Sequence, residues 1–234
     1  MEIFKLTPFE LEALRLSLWI SGWAVIGSLG PGILMAWVLA RKQFPGKALV
    51  DGLVHLPLVL PPVVTGYMLL LLMGRRGVVG GWLHDVLGLT FAFNWKGAAL
   101  ASAVMAFPLL VRAVRLSIEG VDQGLEQAAR TLGAGPLDLF FTVTLPLIFP
   151  GILTGIILAF ARSLSEFGAT ITFVSNIPGE TRTLPLALYT LTQMSDGEAG
   201  ALRLCLISVV VALVALVTSE LLARRMNRRM KGES

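Results

Sequence analysis

The chain has 234 residues, 55% hydrophobic and 15% charged, with 19 Lys and Arg against 15 Asp and Glu for a formal charge of +4. Soluble domains carry about 25% charged residues, and the mean hydropathy of +0.78 leaves more apolar surface than a globular core can hide, so a soluble fold is excluded. The basic residues behind the pI of about 9.6 flank apolar runs instead of lining one face, which excludes a nucleic-acid surface, and the single cysteine, Cys205, excludes a disulfide framework.

Met1–Lys5 lacks a basic segment followed by a small-residue cleavage site, so no removable signal peptide is expected. Crossing a bilayer takes about twenty mostly apolar residues. Residues from about 14 to 40 meet that need, and Gly30-Pro31-Gly32 predicts a bend or loosening near the middle. Residues 49 to 73 form the second span. Pro57, Pro61 and Pro62 predict an irregular lead-in and then a helix from Pro62 to Met73. The segment 74 to 96 is too mixed to cross, and Trp82 and Trp95 suit the membrane boundary. Residues 97 to 117, 147 to 168 and 200 to 222 give the third, fourth and fifth spans. Between the last two, 176 to 198 reads as a loop outside the membrane with a helical piece around Leu184 to Met194.

These elements predict an all-α integral membrane protein with a single domain over 1–234. It has five core spans; a sixth is allowed if the amino-terminal segment runs further into the membrane. Arg224, Arg225, Arg228, Arg229 and Lys231 place the carboxyl terminus inside. Counting back puts a polar island at 119–146 inside as well, together with Arg41, Lys42 and Lys47, and puts the amino terminus outside. Arg75 and Arg76 fall outside, against the trend.

No catalytic constellation is present. There is no G-x-x-x-x-G-K-[ST] loop, so ATP chemistry is not expected on this chain. His55 and His84 lack metal-ligand neighbours in sequence, and no metal or cofactor is expected.

The island contains Gln127-Ala128-Ala129-Arg130-Thr131-Leu132-Gly133, then nine residues, then Val143-Thr144-Leu145-Pro146. This pattern resembles the cytoplasmic coupling loop of ABC importer permeases, E-A-A-x-x-x-G followed by I-x-L-P. Gln127 departs from the consensus Glu, with Glu126 just before it, and Val143 stands for Ile. The resemblance assigns Glu126, Gln127, Ala128, Ala129, Gly133, Leu145 and Pro146 to coupling with an ATPase. The residues alone also allow a surface hairpin packed on the membrane face.

Three further stretches resemble bacterial molybdate permeases: Phe44–Ala48 with His55–Tyr67, Gly120–Gly135, and Phe160–Thr170 continuing through Phe173–Pro185. Arg162-Ser163-Leu164-Ser165-Glu166-Phe167-Gly168 is similar to a segment shared with sulfate permeases, except that Ser165 stands where a Gly is usual. The resemblance implies two copies around one pathway, two cytoplasmic ATPase subunits and a periplasmic oxyanion-binding protein, all in a bacterial inner membrane. It also implies a substrate of molybdate or tungstate, with sulfate or thiosulfate as the rival. An ion-coupled secondary transporter would share the spans but not the coupling island.

A dianion needs a wet path lined by donors. Ser102, Thr154, Ser163, Ser165 and Thr170 are candidates, each with the alternative of bonding its own helix backbone. Gly151 and Gly155 form a G-x-x-x-G for helix packing, within one subunit or across two. Arg162 and Glu166, four residues apart, share one helix face. They read either as a structural ion pair or, for Glu166 near the outer end of its span, as part of a gate or docking surface.

Overall fold

The computed structural model describes residues 6–230, apart from the side chains of 219, 220 and 222–230. Met1–Lys5, Lys231 and the side chains of Arg224, Arg225, Arg228 and Arg229 therefore lie outside the described residues, and with them the basic tail used for orientation. Every element is helical. In chain order they are α1 (Pro8–Arg41), α2 (Lys47–Val59), α3 (Pro62–Met73), α4 (Val78–Leu87), α5 (Trp95–Glu119), α6 (Gln123–Thr131) and α7 (Pro136–Leu139). A widened turn over Phe140–Thr144 leads into α8 (Leu145–Leu164), followed by α9 (Gly168–Val174), α10 (Leu184–Thr192) and α11 (Glu198–Met230). Among the described residues four helices are long and apolar enough to cross a membrane, or five if the bent pair α2–α3 counts as one span.

The helix α1 starts on a capping box. Thr7 Oγ1 accepts from Glu10 N–H at 3.3 Å, and Glu10 Oε2 accepts from Thr7 N–H at 2.8 Å. At 1.5 Å per residue its 34 residues reach about 51 Å, well past the ~30 Å hydrocarbon core. It is one helix, not two spans, and it runs unbroken through Gly30-Pro31-Gly32 instead of loosening there. Pro31 removes one ladder bond, and α5 holds the segment from the side: a Cβ on Gly32 would sit 2.7 Å from Leu110 Cδ2.

The expected irregular lead-in of the second span is instead the helix α2. Pro57 falls in its last turn, where the lost N–H costs a single bond, and Leu60 N–H still reaches Leu56 O at 3.0 Å. The break comes after Val59, where Pro61 and Pro62 start α3 and the chain turns by 115°.

The fourth span begins earlier and ends sooner than the hydropathy predicts. Pro136–Leu164 forms one span-length stretch, so the second half of the polar island is its first turns. The helix stops at Leu164, three residues intervene, and α9 resumes at Gly168.

Packing centres on α1, α5 and α8. One cluster, with Leu39, Leu110, Ile118 and Ile148, lies toward Arg41; another, with Ile20, Met105, Ala169 and Phe173, lies toward Trp95. Gly151 and Gly155 allow α8 to approach α5 of the same chain. Added Cβ atoms would lie 2.2 Å from Ser117 Cβ and 2.8 Å from Leu110 Cδ1, so the G-x-x-x-G packs within the subunit. The carboxy-terminal α11 is tied back to α1 through Arg203 Nε to Glu10 Oε1 at 2.8 Å, with Glu10 buried.

Candidate functional site: the α6 loop and the broken span α8–α9

The loop after α5 turns at Gly120 and enters α6 through Asp122, whose Oδ1 accepts from Gly124 N–H at 2.8 Å. At the other end Ala134 N–H donates to Ala129 O and Gly133 N–H to Arg130 O, both at 3.0 Å. These are the paired bonds of a Schellman close, which needs a left-handed residue, and Gly133 supplies it at φ +92. A β-carbon there would be strained, so the sharp return toward Pro136 depends on glycine.

Glu126 faces inward while Gln127 and Ala128 are exposed and Ala129 is half-buried. Its Oε1 lies 2.7 Å from Arg41 Nη2 at the end of α1 and accepts from Thr144 Oγ1 at 3.1 Å. Thr144 is presented by the widened turn Phe140–Thr144, in which Leu145 N–H bonds Phe140 O five residues back. Such turns concentrate at functional places because they re-aim side chains. One carboxylate therefore ties α6 to two membrane helices. The outer face of the loop is apolar and uncovered: Leu132 is 89% exposed, Leu137 75% and Phe141 61%. Between this loop and α1 lies a cleft of about 900 Å³ lined by Ile33, Trp37, Arg41, Arg130 and Phe140 among others.

Sequence reasoning missed Arg41 and Thr144 as members of this site. Arg41 stood out only as a boundary charge, and no local pattern joins it to a carboxylate 85 positions away. Leu145 is half-buried and Pro146 exposed at the foot of α8, beside Thr144.

The second feature is the interruption at Ser165–Phe167. Glu166 lies past the end of α8, not on its face, and is 2% exposed. Its Oε2 is 2.7 Å from Arg162 Nη1, and its Oε1 accepts from Ala169 N–H at 2.8 Å, satisfying the start of α9. Beyond Glu166 the chain continues into α9, which packs against α3 and α5. A Cβ on Gly66 would meet Ala169 O at 2.5 Å, and Val174 Cγ1 abuts Gly97.

The candidate hydroxyls divide into two groups. Thr154 donates to Pro150 O at 2.9 Å, Ser165 to Arg162 O at 3.1 Å and Thr170 to Phe167 O at 2.8 Å, so these three bond their own backbone. Ser163 and Ser102 are buried, and Ser163 Oγ has no partner. Thr65 Oγ1 on α3 is also buried without a partner, a residue that sequence reasoning passed over because an unremarkable Thr in an apolar run carries no signal.

Residues 31–231 match the family described as binding-protein-dependent transport system inner membrane component. The molybdenum transport system permease protein ModB of Escherichia coli (strain K12) is 64% identical over 219 residues, covering 94% of this chain and 96% of that protein. Its counterpart from Haemophilus influenzae is 55% identical over 221 residues, with 94% and 96% covered. The sulfate transport system permease protein CysW of Synechococcus elongatus is 39% identical, with 94% and 76% covered. Among solved structures, a bacterial ABC transporter for the acidic polysaccharide alginate superposes with a TM-score of 0.74 at 20% identity, covering 94% of this chain and 80% of that one. An amino acid ABC transporter superposes with a TM-score of 0.64, also at 20% identity, with 93% and 94% covered; both likenesses show the fold. The chain belongs to the binding-protein-dependent transport permeases and, within them, to the molybdenum transport system permeases.

Proposed function

From that membership we propose that this chain is the membrane-spanning subunit of an ATP-driven importer that carries molybdate, or the isosteric tungstate, into the cytoplasm. The observation that carries the reading is the 64% identity to a molybdenum permease across nearly the whole of both chains. Two copies surround one pathway, two separate ATPase subunits dock on the α6 loops, and a periplasmic binding protein delivers the anion. The carboxyl terminus and the α6 loop face the cytoplasm, in a bacterial inner membrane.

The local physics supports this division of labour. The α6 loop offers an apolar, uncovered face on a frame braced by Glu126, so a push from a partner passes to α1 and to the foot of α8 rather than dissipating in the loop. Coupling is assigned to Glu126, Gln127, Ala128, Ala129, Gly133, Leu145 and Pro146, with Glu126 acting through its brace and not by touching the ATPase.

The broken span supplies the pathway end of the mechanism. A dianion must be met by donors that release it again, so neutral hydroxyls suit better than a fixed cation. Ser163 and Thr65 hold hydroxyls without partners, whereas Thr154, Ser165 and Thr170 spend theirs on backbone carbonyls. Glu166, neutralised by Arg162, positions α9 as a segment that shifts against α3 when the pathway opens.

ATP hydrolysis by the reconstituted complex tests the reading. Binding protein loaded with molybdate or tungstate is expected to stimulate it, and protein loaded with sulfate is not. The 39% identity to a sulfate permease favours sulfate as the second reading, and stimulation by sulfate alone would establish that one instead.

A further inference from the structure

We infer that the groove between α1, α2 and α5 is a binding site for one acyl chain of an anionic phospholipid whose phosphate is held at Lys96. The groove encloses about 670 Å³ and Lys96 is the charged residue that lines it. That volume is within the range of sites for small organic ligands. Its floor is made by small residues of two helices, Ala24 and Gly27 on α1 and Ala99 and Ala103 on α5. A Cβ on Gly27 would meet nothing within 4 Å, so the floor opens onto free space. The one hydroxyl in the groove, Ser28 Oγ, already donates to Ala24 O at 2.7 Å, and the interior asks for no polar guest.

The third wall is what leaves the groove open. The helix α2 buries none of its residues, although it is anchored near its first turn by Asp51 Oδ2 to Arg115 Nη1 at 2.9 Å. The helix α2 touches the core through Val50 and Val54 but buries no residue fully, and it leaves beside it a wedge at membrane depth that a chain of methylenes fills. From Trp23 to Met35 the groove follows α1 for about 18 Å, slightly more than one leaflet's half of a ~30 Å core.

One end of the groove carries a headgroup station. Trp19, Trp23 and Trp95 pack there with ring centroids 5.8 to 6.4 Å apart, marking a membrane boundary. Exposed Lys96 adjoins Trp95 and pairs with no carboxylate among the described residues. Lipid tails are as apolar as the groove wall, so burial alone selects no lipid; selection falls to Lys96, which favours a net negative headgroup by about fivefold. Under the orientation proposed above this is the periplasmic leaflet.

Quenching of the Trp triad tests the site in the full chain, reconstituted in phosphatidylcholine vesicles with Trp37→Phe and Trp82→Phe to remove other emitters. Dibrominated phosphatidylglycerol at a few mole per cent is expected to quench about fivefold more effectively than dibrominated phosphatidylcholine. Lys96→Glu should erase that preference, and Ala103→Phe, which fills the groove, should reduce quenching by both lipids. Equal quenching by the two lipids, indifferent to both substitutions, would mean annular lipid only and overturn the site. So would a disulfide between two copies at Leu100→Cys with Cys205→Ser, which would put a second permease in the groove.

Discussion

Arg41, the last residue of α1, and Glu126, on the short helix of the polar loop, meet at 2.7 Å across 85 positions of sequence. Both side chains are mostly sheltered, and Thr144 shares the same carboxylate oxygen. The contact fixes to two membrane helices a loop that hydropathy would leave loose. Removing one partner leaves the other charge half-desolvated.

Glu126→Ala and Arg41→Ala should each weaken the attachment of the loop by about 1–2 kcal/mol, with a double variant costing less than the sum of the two. Trypsin cleavage after Arg130 in inside-out vesicles reads the effect. Both single variants should be cut faster while remaining inserted. Equal cutting of wild type and variants would show that the brace carries no load.

Gly133→Val places a branched side chain at φ +92 and should cost about 1–3 kcal/mol locally. The expectation is a permease that inserts and pairs normally but releases its ATPase subunits or fails to couple their hydrolysis. Normal coupling in Gly133→Val would remove the need for the tight return after α6.

Arg162→Ala strands the 2%-exposed carboxylate of Glu166. Breaking such a pair costs about 3–5 kcal/mol, so yield in the membrane should fall sharply. Adding Glu166→Gln keeps an acceptor for Ala169 N–H without the charge, and expression should recover. A double variant as poorly expressed as the single one would contradict the pairing account.

Orientation is read by labelling in whole cells after Cys205→Ser. A cysteine replacing Glu180, exposed in the loop between α9 and α10, should react with an impermeant reagent. One replacing Leu132, 89% exposed, should react only after lysis. The reverse pattern would invert the topology and move the coupling face to the wrong side.

Hydropathy located the spans because lipid contact demands long apolar stretches, and it placed α3 closely because proline is well suited to the first turn of a helix. It misjudged α2, where Pro57 was read as a source of irregularity although its position in the last turn makes it tolerable. The stop at Leu164 was invisible because Ser165–Phe167 is as helix-compatible as its neighbours; burial of Glu166 and the approach of α9 to α3 decide it. The short helix α6 was legible from the alanine pair and from Gly133, which act locally. Its brace was not, since Arg41 and Glu126 meet only once α1 and α5 have packed. Ser163 and Thr65 became notable only when burial without a partner could be seen.

The central claim is ATP-driven uptake of a molybdate-type oxyanion transmitted through the α6 loop. Its most direct test is accumulation of radiolabelled molybdate in proteoliposomes holding the permease, its ATPase partner and its binding protein. The account predicts uptake that requires ATP, persists in excess sulfate, and is lost in Ala128→Glu although that variant inserts normally. Uptake driven by an ion gradient without ATP, uptake abolished by sulfate, or wild-type uptake by Ala128→Glu would contradict it.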